Sequence, residues 1–404
     1  MSLRFIYGRA GCGKTHFCLE ELKTKIENKH NNSMFLLVPE QYTFQAERDL
    51  IGMLQAGGIL KNEVLSFRRL SYRVFNEVGG ITYPHIHPAG KSMILYRILD
   101  KSGPMFRYFK NAAQKPGFVN ELSDLITEFK HYNVTFDMLD DAYNKLDENS
   151  ALKQKVKEIN TVYDAFEKTL KERYRDVDDD LTIAAEKMKL SNQFRDSEVW
   201  IDGFSNFTPQ QYKVIEVLLS QAKRVSITLT TDSLADESST TDIFSPAKSV
   251  YRKIINLAAN NNIMYEKPVF LNPKPLHRFE QNIEFSHLEK NFYKYPYRIY
   301  PDKTSAITLF SSVNIFSEIE AAARDILRLC RDKGFRFRDI AVVTRNLDEY
   351  QKLIETIFSD YGIPCFMDSK LDISNHPLVR LILSMLEIFT ENWSYESVFR
   401  YLKT

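Results

Sequence analysis

Eight residues near the start, Gly8-Arg9-Ala10-Gly11-Cys12-Gly13-Lys14-Thr15, match the phosphate-loop pattern G-x-x-x-x-G-K-T without a mismatch. Glycines let such a loop turn its N–H groups onto phosphate oxygens, the lysine reaches the β- and γ-phosphates, and the threonine hydroxyl holds Mg²⁺. Chemistry of this kind needs a second acid at the end of an apolar strand, and Asp202 in Glu198-Val199-Trp200-Ile201-Asp202 is the candidate. A strand-end aspartate that merely caps a turn is the alternative. The next residue is Gly203, where active translocating ATPases carry a glutamate that orients the attacking water. Loss of general-base help costs roughly 10² to 10⁴ in rate, so the pattern predicts nucleotide binding with slow hydrolysis. A further cation, Arg345, follows the apolar run Ile340 to Thr344 and is a candidate to reach a γ-phosphate across a cleft; a solvated strand-end arginine is the competing reading.

These residues require a parallel sheet to position them. Leu3 to Tyr7 reads as a strand, His16 to Ile26 as the helix whose N-terminus faces the anion, Met34 to Val38 and Gln41 to Leu54 as a second strand and helix, and Val64 to Ser66 and Phe67 to Val78 as a third pair. From Ala89 to about Leu190 the apolar spacing is helical, over Gly90 to Leu99, Phe118 to His131, Ala151 to Tyr174 and Leu181 to Leu190. Alternation then resumes with Glu198 to Asp202, a helix over Pro209 to Gln221 and a strand over Val225 to Thr230. A polar loop is expected over Thr231 to Thr241, and Asn260 to Asn262 ends the helix that begins near Pro246. Prolines and aromatics without a period from about Lys267 to Lys303 suit an interdomain connection. A second α/β domain is expected beyond, with strands over Ile307 to Ser311 and Ile340 to Thr344 and helices over Glu318 to Lys333, Asp348 to Tyr361 and from Pro377 onward. The expected parts are 1–84 (first half of the phosphate-loop domain, 1A), 85–195 (helical insert, 1B), 196–300 (second half of 1A and linker) and 301–404 (start of domain 2A), with the chain ending inside a helical pattern as a truncated domain would.

Composition narrows the class further. With 44% hydrophobic and 26% charged residues over 404 positions, the chain can build two or three ordinary cores, and no apolar run approaches the roughly 20 residues that span a bilayer. The expectation is a cytoplasmic protein without a membrane partner. Cys12, Cys18, Cys330 and Cys365 lack Cys-x-x-Cys spacing, so neither a disulfide framework nor a zinc site is indicated. His85 and His87 have no third ligand nearby in the sequence and point to no metal. A net charge of +1 excludes a uniformly basic nucleic-acid binder but leaves room for a local basic groove.

Four stretches in order carry a resemblance: the phosphate loop, Leu37-Val38-Pro39-Glu40-Gln41-Tyr42-Thr43-Phe44, Val64-Leu65-Ser66-Phe67-Arg68-Arg69-Leu70, and Ile201-Asp202-Gly203-Phe204-Ser205-Asn206-Phe207-Thr208-Pro209-Gln210. Together they resemble AddB (RexB), the B-subunit family of the bacterial AddAB (RexAB) ATP-dependent helicase-nuclease that processes double-strand breaks for recombination. The resemblance runs to the last residue, through Asp339 to Arg345, Gly362-Ile363-Pro364 and His376-Pro377-Leu378. It implies a superfamily 1 helicase-like α/β fold with decayed motor motifs, ATP and Mg²⁺ as ligands with Thr15 and Asp202 on the metal, an AddA-type partner in a heterodimer, and single-stranded DNA and duplex ends as substrates. It also implies a nuclease domain with an iron-sulfur cluster in a continuation beyond Thr404.

The same resemblance links the family to capture of the Chi sequence and assigns strand contacts to Gln41, Thr43, Phe67, Arg69, Tyr72 and Phe207, with Tyr72 where relatives often carry tryptophan. Phe67, Tyr72 and Phe207 suit base stacking, while Gln41 and Arg69 suit base edges or phosphates. Aromatics on an amphipathic helix are alternatively core. Two other functions compete: a DNA-stimulated superfamily 1 ATPase in its own right, against which Gly203 argues, and a small-molecule P-loop kinase, against which the split sheet and long helical insert argue.

Overall fold

The computed structural model describes every residue except 29–31, 55–61, 81–82, 114, 149, 172, 236–241, 368–372 and 374. Two units divide the chain, Met1–Ala306 and Ile307–Thr404. Part of the expected loop over Thr231 to Thr241 lies outside the described residues.

In the first unit, apolar runs become buried parallel strands. The first is β1 (Ser2–Gly8), and Gly13 caps the helix after it, α1 (Lys14–Glu27). Then follow β2 (Met34–Leu37), α2 (Thr43–Leu54), β3 (Asn62–Leu65) and α3 (Phe67–Val78). Local chemistry sets the ends of α3: the Ser66 hydroxyl accepts from Arg69 N–H at the start, and Gly79 at φ 77° stops it.

The chain next leaves the sheet. Helices α4 (Pro88–Ser102), α5 (Pro116–His131), α6 (Phe136–Lys145) and α7 (Ala151–Lys171) surround a core of their own that includes Leu95, Leu99, Leu122, Ile126, Val162 and Phe166. Helix α6 was not anticipated from the sequence. The neck of this bundle is fastened where Arg175 N–H donates to Pro84 O and Ile86 N–H donates to Arg175 O, so the outgoing and returning chains lie side by side. Helix α8 (Asp180–Met188), expected within the insert, instead packs Ala185 and Met188 into the core beneath the sheet.

Back in the sheet come β4 (Glu198–Ile201), α9 (Pro209–Gln221), β5 (Arg224–Thr230), α10 (Ser245–Asn260) and the short β6 (Met264–Tyr265) and β7 (Val269–Phe270), followed by α11 (Ile283–Asn291) in the expected connection. Thr208 and Gln211 exchange hydrogen bonds as a capping box at the start of α9. The order is β3-β2-β4-β5-β1, all parallel, with β6 and β7 in succession along the other side of β1. Period-two alternation sends Leu3, Phe5, Phe35, Leu37, Val199 and Ile201 to one face, and Ile6, Met34, Leu36 and Trp200 to the other. Both faces are covered by helices, as a purely parallel sheet requires.

The second unit contains α12 (Ile315–Lys333), α13 (Leu347–Asp360), α14 (Pro377–Thr390) and α15 (Tyr395–Leu402). Ile319, Ile326, Ile354, Ile357 and Phe358 form its core. The two strands expected here are not formed: residues 307–311 and 340–344 carry no strand pairing among the described residues, and Leu309 and Val343 are 97% and 90% exposed. An apolar run becomes a strand only where another strand completes its ladder, and neither run has one here.

Candidate functional site

The register of the central strands builds the site. Ile201 lies opposite Leu37 on β2 and Ile227 on β5, so the residue after β4 emerges at the carboxyl edge beside the loop that follows β1. Ligands of open parallel sheets bind at this edge. Asp202 is 2% exposed, and its N–H donates to Leu37 O at 2.9 Å. One carboxylate oxygen accepts from the Thr15 hydroxyl at 2.7 Å and the other from the Thr228 hydroxyl at 2.6 Å. A buried carboxylate joined to the phosphate-loop threonine is the donor set that suits a hard divalent cation.

Lys14 is held differently. Its ammonium donates to Gly8 O at 2.9 Å and Arg9 O at 3.1 Å, both carbonyls of its own loop. Burial pulls its pKa below the ordinary lysine value, with Cys12 and Asp202 pulling the other way. Its charge is therefore only partly compensated. Lys14, Thr15, Asp202, Gly203, Thr228, Phe244 and Arg278 are among the residues lining a cavity of about 420 Å³, within the range of small-molecule sites. A larger cavity of about 690 Å³ in the second unit is lined mainly by apolar groups such as Phe337, Val342 and Phe358 and lacks any such constellation.

Gly203 has φ 82°, a left-handed conformation, and a Cβ there would lie 3.3 Å from Pro39 Cδ. The residue after Asp202 is thus a glycine for backbone reasons as well as chemical ones. Asp202 is the sole carboxylate lining the cavity among the described residues.

The strand order β3-β2-β4 also gathers the loops that bear the candidate strand contacts. Gln41 and Arg69 are exposed and Tyr72 is half-buried. Arg69 pairs with Glu47, and the Arg68 guanidinium lies 6.0 Å from the Tyr72 ring centre. Thr43, Phe67 and Phe207 are buried, at 6%, 6% and 5% exposure. The Phe67 and Phe207 rings pack on Phe204 with centroids 5.4 and 5.1 Å away, as parts of the core under the loops. Phe44, which sequence reasoning did not single out, is 71% exposed one residue after Thr43. Its signal was an apolar residue off the Thr43, Ala46 and Leu50 stripe that α2 buries. Arg345 is exposed at a bend in the second unit. No cluster of three or more His, Cys, Asp or Glu suited to a metal occurs among the described residues, and none of their helices is long and apolar enough to cross a membrane.

A family profile described as "ADDB, N-terminal" matches residues 5–289. The chain belongs to this family. Among its relatives, the B subunit of the ATP-dependent helicase/deoxyribonuclease of Acetivibrio thermocellus is 62% identical over 404 residues, which is 100% of this chain and 35% of the relative. Proteins of the same name from Ruminiclostridium cellulolyticum and Clostridium botulinum (strain Loch Maree) are 53% and 48% identical, each over 100% of this chain and 35% of its own length. The chain thus spans about a third of the relatives it matches, corresponding to their N-terminal part. Membership in the ADDB family accords with the order of the four motifs.

Proposed function

We propose that this chain is the nucleotide- and DNA-engaging N-terminal part of the B subunit of an ATP-dependent helicase/deoxyribonuclease, acting in double-strand break repair with an AddA-type partner and in recognition of Chi. One observation carries the reading of the motor site: a phosphate loop whose lysine is held by two loop carbonyls and the Cys12 sulfur with no carboxylate in direct contact, joined through Thr15 to a buried Asp202, with no second carboxylate lining the cavity among the described residues. The arrangement suits ATP binding and does not supply a general base for water. Thr15 and Asp202 would hold Mg²⁺, whose chemistry is to neutralise phosphate charge. A superfamily 1 arrangement, with the helical bundle as an insert and the second unit as the beginning of a second motor domain, is part of the same proposal.

The loop from Asp202 to Phe207 links the two halves of this reading. At one end it contributes the carboxylate bonded to Thr15, and at the other its phenylalanine packs against Phe67. We assign strand contact to Gln41, Arg69 and Tyr72, with Phe44 beside them; Thr43, Phe67 and Phe207 shape the face from beneath. Arg345 is proposed as a nucleotide-sensing cation, tested by the ATP affinity of Arg345→Ala.

The deciding experiment combines binding of a labelled ATP analogue with turnover in the presence and absence of single-stranded DNA. Binding with negligible turnover is expected. Robust DNA-stimulated turnover would replace this proposal with that of a self-sufficient ATPase. The log of single-strand affinity should fall with log salt by about 0.7 per phosphate contact, and a flat response would remove the proposed strand-binding face.

A further inference from the structure

The segment after β7 is aimed at the phosphate loop. Leu271 N–H donates to Tyr7 O at 2.8 Å, extending the edge of β1. The chain then reaches a turn at His277–Phe279 that lies across the loop. Arg278 N–H donates to Gly11 O at 3.1 Å, and a Cβ on Gly11 would stand 2.9 Å from Arg278 Cβ and 3.0 Å from the Phe279 ring. Gly11, at φ 81°, is thus needed both for its own conformation and for this close crossing. Farther along, Glu289 on α11 accepts from Arg9 Nε at 2.8 Å. The strap is fastened to the loop at Arg9 and at Gly11.

Two properties single out Arg278. Its side chain lines the same cavity as Lys14, Thr15 and Asp202, and among the described residues its guanidinium has no hydrogen-bond or ion-pair partner. Arg9, by contrast, is engaged by Glu289 and Asp232 and lies over the Phe244 ring. A second cation near a partly compensated lysine, with no anion of its own, repels it. Such an arrangement becomes favourable when a polyanion enters between them, and the planar guanidinium fork suits phosphate oxygens.

We propose that Arg278 is a phosphate ligand of the bound nucleoside triphosphate, delivered from the far side of the loop by the strap. This inference rests on the nucleotide-binding reading of the loop and assigns it a further residue. Because the backbone of Arg278, rather than its side chain, makes the bond to Gly11, removing the guanidinium leaves the strap fastened.

Titration of the 404-residue chain with Mg²⁺-ATP and with AMP, for wild type, Lys14→Ala, Arg278→Ala and Arg278→Lys, tests this directly. Arg278→Ala should weaken ATP about tenfold and AMP less than threefold, Arg278→Lys should recover most of the loss, and the melting temperature without nucleotide should not change. Unaltered ATP affinity in Arg278→Ala, with Lys14→Ala strongly weakened, would overturn the assignment of Arg278 alone. Equal losses for ATP and AMP would overturn it too, because they mark displacement of the strap rather than loss of a phosphate contact. Failure of the wild type to bind ATP, or full binding by Lys14→Ala, would overturn the nucleotide reading beneath it.

Discussion

Lys14 and Lys130 are both buried cations, and their surroundings differ in one respect. Lys130, on α5 in the helical bundle, has a side chain 2% exposed and three carboxylates around its ammonium: Asp179 at 2.7 Å, Asp176 at 2.8 Å and Glu167 at 2.8 Å. Burial alone would lower its pKa, but Asp179, Asp176 and Glu167 overcome that and raise it well above the usual lysine range. Lys14 has two backbone carbonyls and a lowered pKa. A cation fully matched by fixed anions is structural. One compensated mainly by carbonyl dipoles, with no carboxylate in direct contact, still has most of its electrostatic attraction left for a ligand.

The bundle's ionic cluster extends beyond Lys130. Lys91 bridges Asp176 at 3.2 Å and Asp178 at 2.9 Å, and Thr127 donates to Asp178 at 2.7 Å. Gln210, at the start of α9, donates to Asp178 O at 2.8 Å and Thr182 Oγ1 at 3.0 Å. This short acidic turn is therefore where the bundle is tied to the layer under the sheet. By contrast, the phosphate loop meets the strap through the backbone bond at Gly11 and through Arg9 alone, which pairs with the Glu289 carboxylate and donates to Glu289 O.

Four substitutions or conditions test this contrast. Lys130→Met leaves three carboxylates facing each other in a poorly solvated site and should cost about 3–5 kcal/mol of unfolding free energy, read by denaturant melts. A variant as stable as the wild type would show that the cluster is not structural. Lys14→Ala should lower ATP affinity about 100-fold, the worth of one or two charge-assisted bonds, with little change in stability. If its stability falls as far as that of Lys130→Met, the distinction between the two lysines collapses. Gly203→Glu should not restore turnover and should cost about 1–2 kcal/mol, because its left-handed backbone disfavours any side chain. Fast hydrolysis by that single variant would mean that the missing carboxylate was the whole deficit.

The smallest effect is a pH dependence in the bundle. Asp178 is pushed up by burial, but His131, Lys91 and Thr127 together hold it well below the usual carboxylate range. The hydrogen bond to Asp178 raises His131 against the effect of burial. A raised histidine stabilises the fold fully below its unfolded value, near 6.5 on the model-peptide scale, and that contribution is lost as pH rises through the higher folded value. The lowered aspartate contributes above its unfolded value of about 3.9 and is lost only in strong acid. Stability from this pair is thus greatest near about pH 5 to 6. Raising the pH to about 9 should remove a few tenths of a kcal/mol, since His131 is 45% exposed. His131→Gln should abolish that slope in pH-dependent melts; an unchanged slope would place its origin elsewhere.

Local signals made much of this molecule legible. Helix α3 runs over Phe67–Val78 and α9 over Pro209–Gln221, as expected, because Ser66, Gly79, Thr208 and Gln211 mark those ends within a turn of the helix. The bundle's α6 and the strap's α11 were missed: α11 has a weak apolar period among prolines and aromatics, whereas α6 is amphipathic but only ten residues long between two longer helices. The expectation of strands at 307–311 and 340–344 failed for another reason: hydrophobicity signals burial, but a ladder needs a partner that local sequence does not specify.

The phosphate loop is legible in eight contiguous residues that carry its whole chemistry, and so is the missing carboxylate at Gly203. Which distant groups meet that loop follows from the folding of the sheet. Parallel register brings Asp202 and Thr228 to Thr15, the β7 edge steers Arg278 over Gly11, and packing on Phe204 removes Phe67 and Phe207 from the surface. The reason is physical. Backbone conformation and charge type are local properties, whereas desolvation and pairing depend on which strands lie side by side.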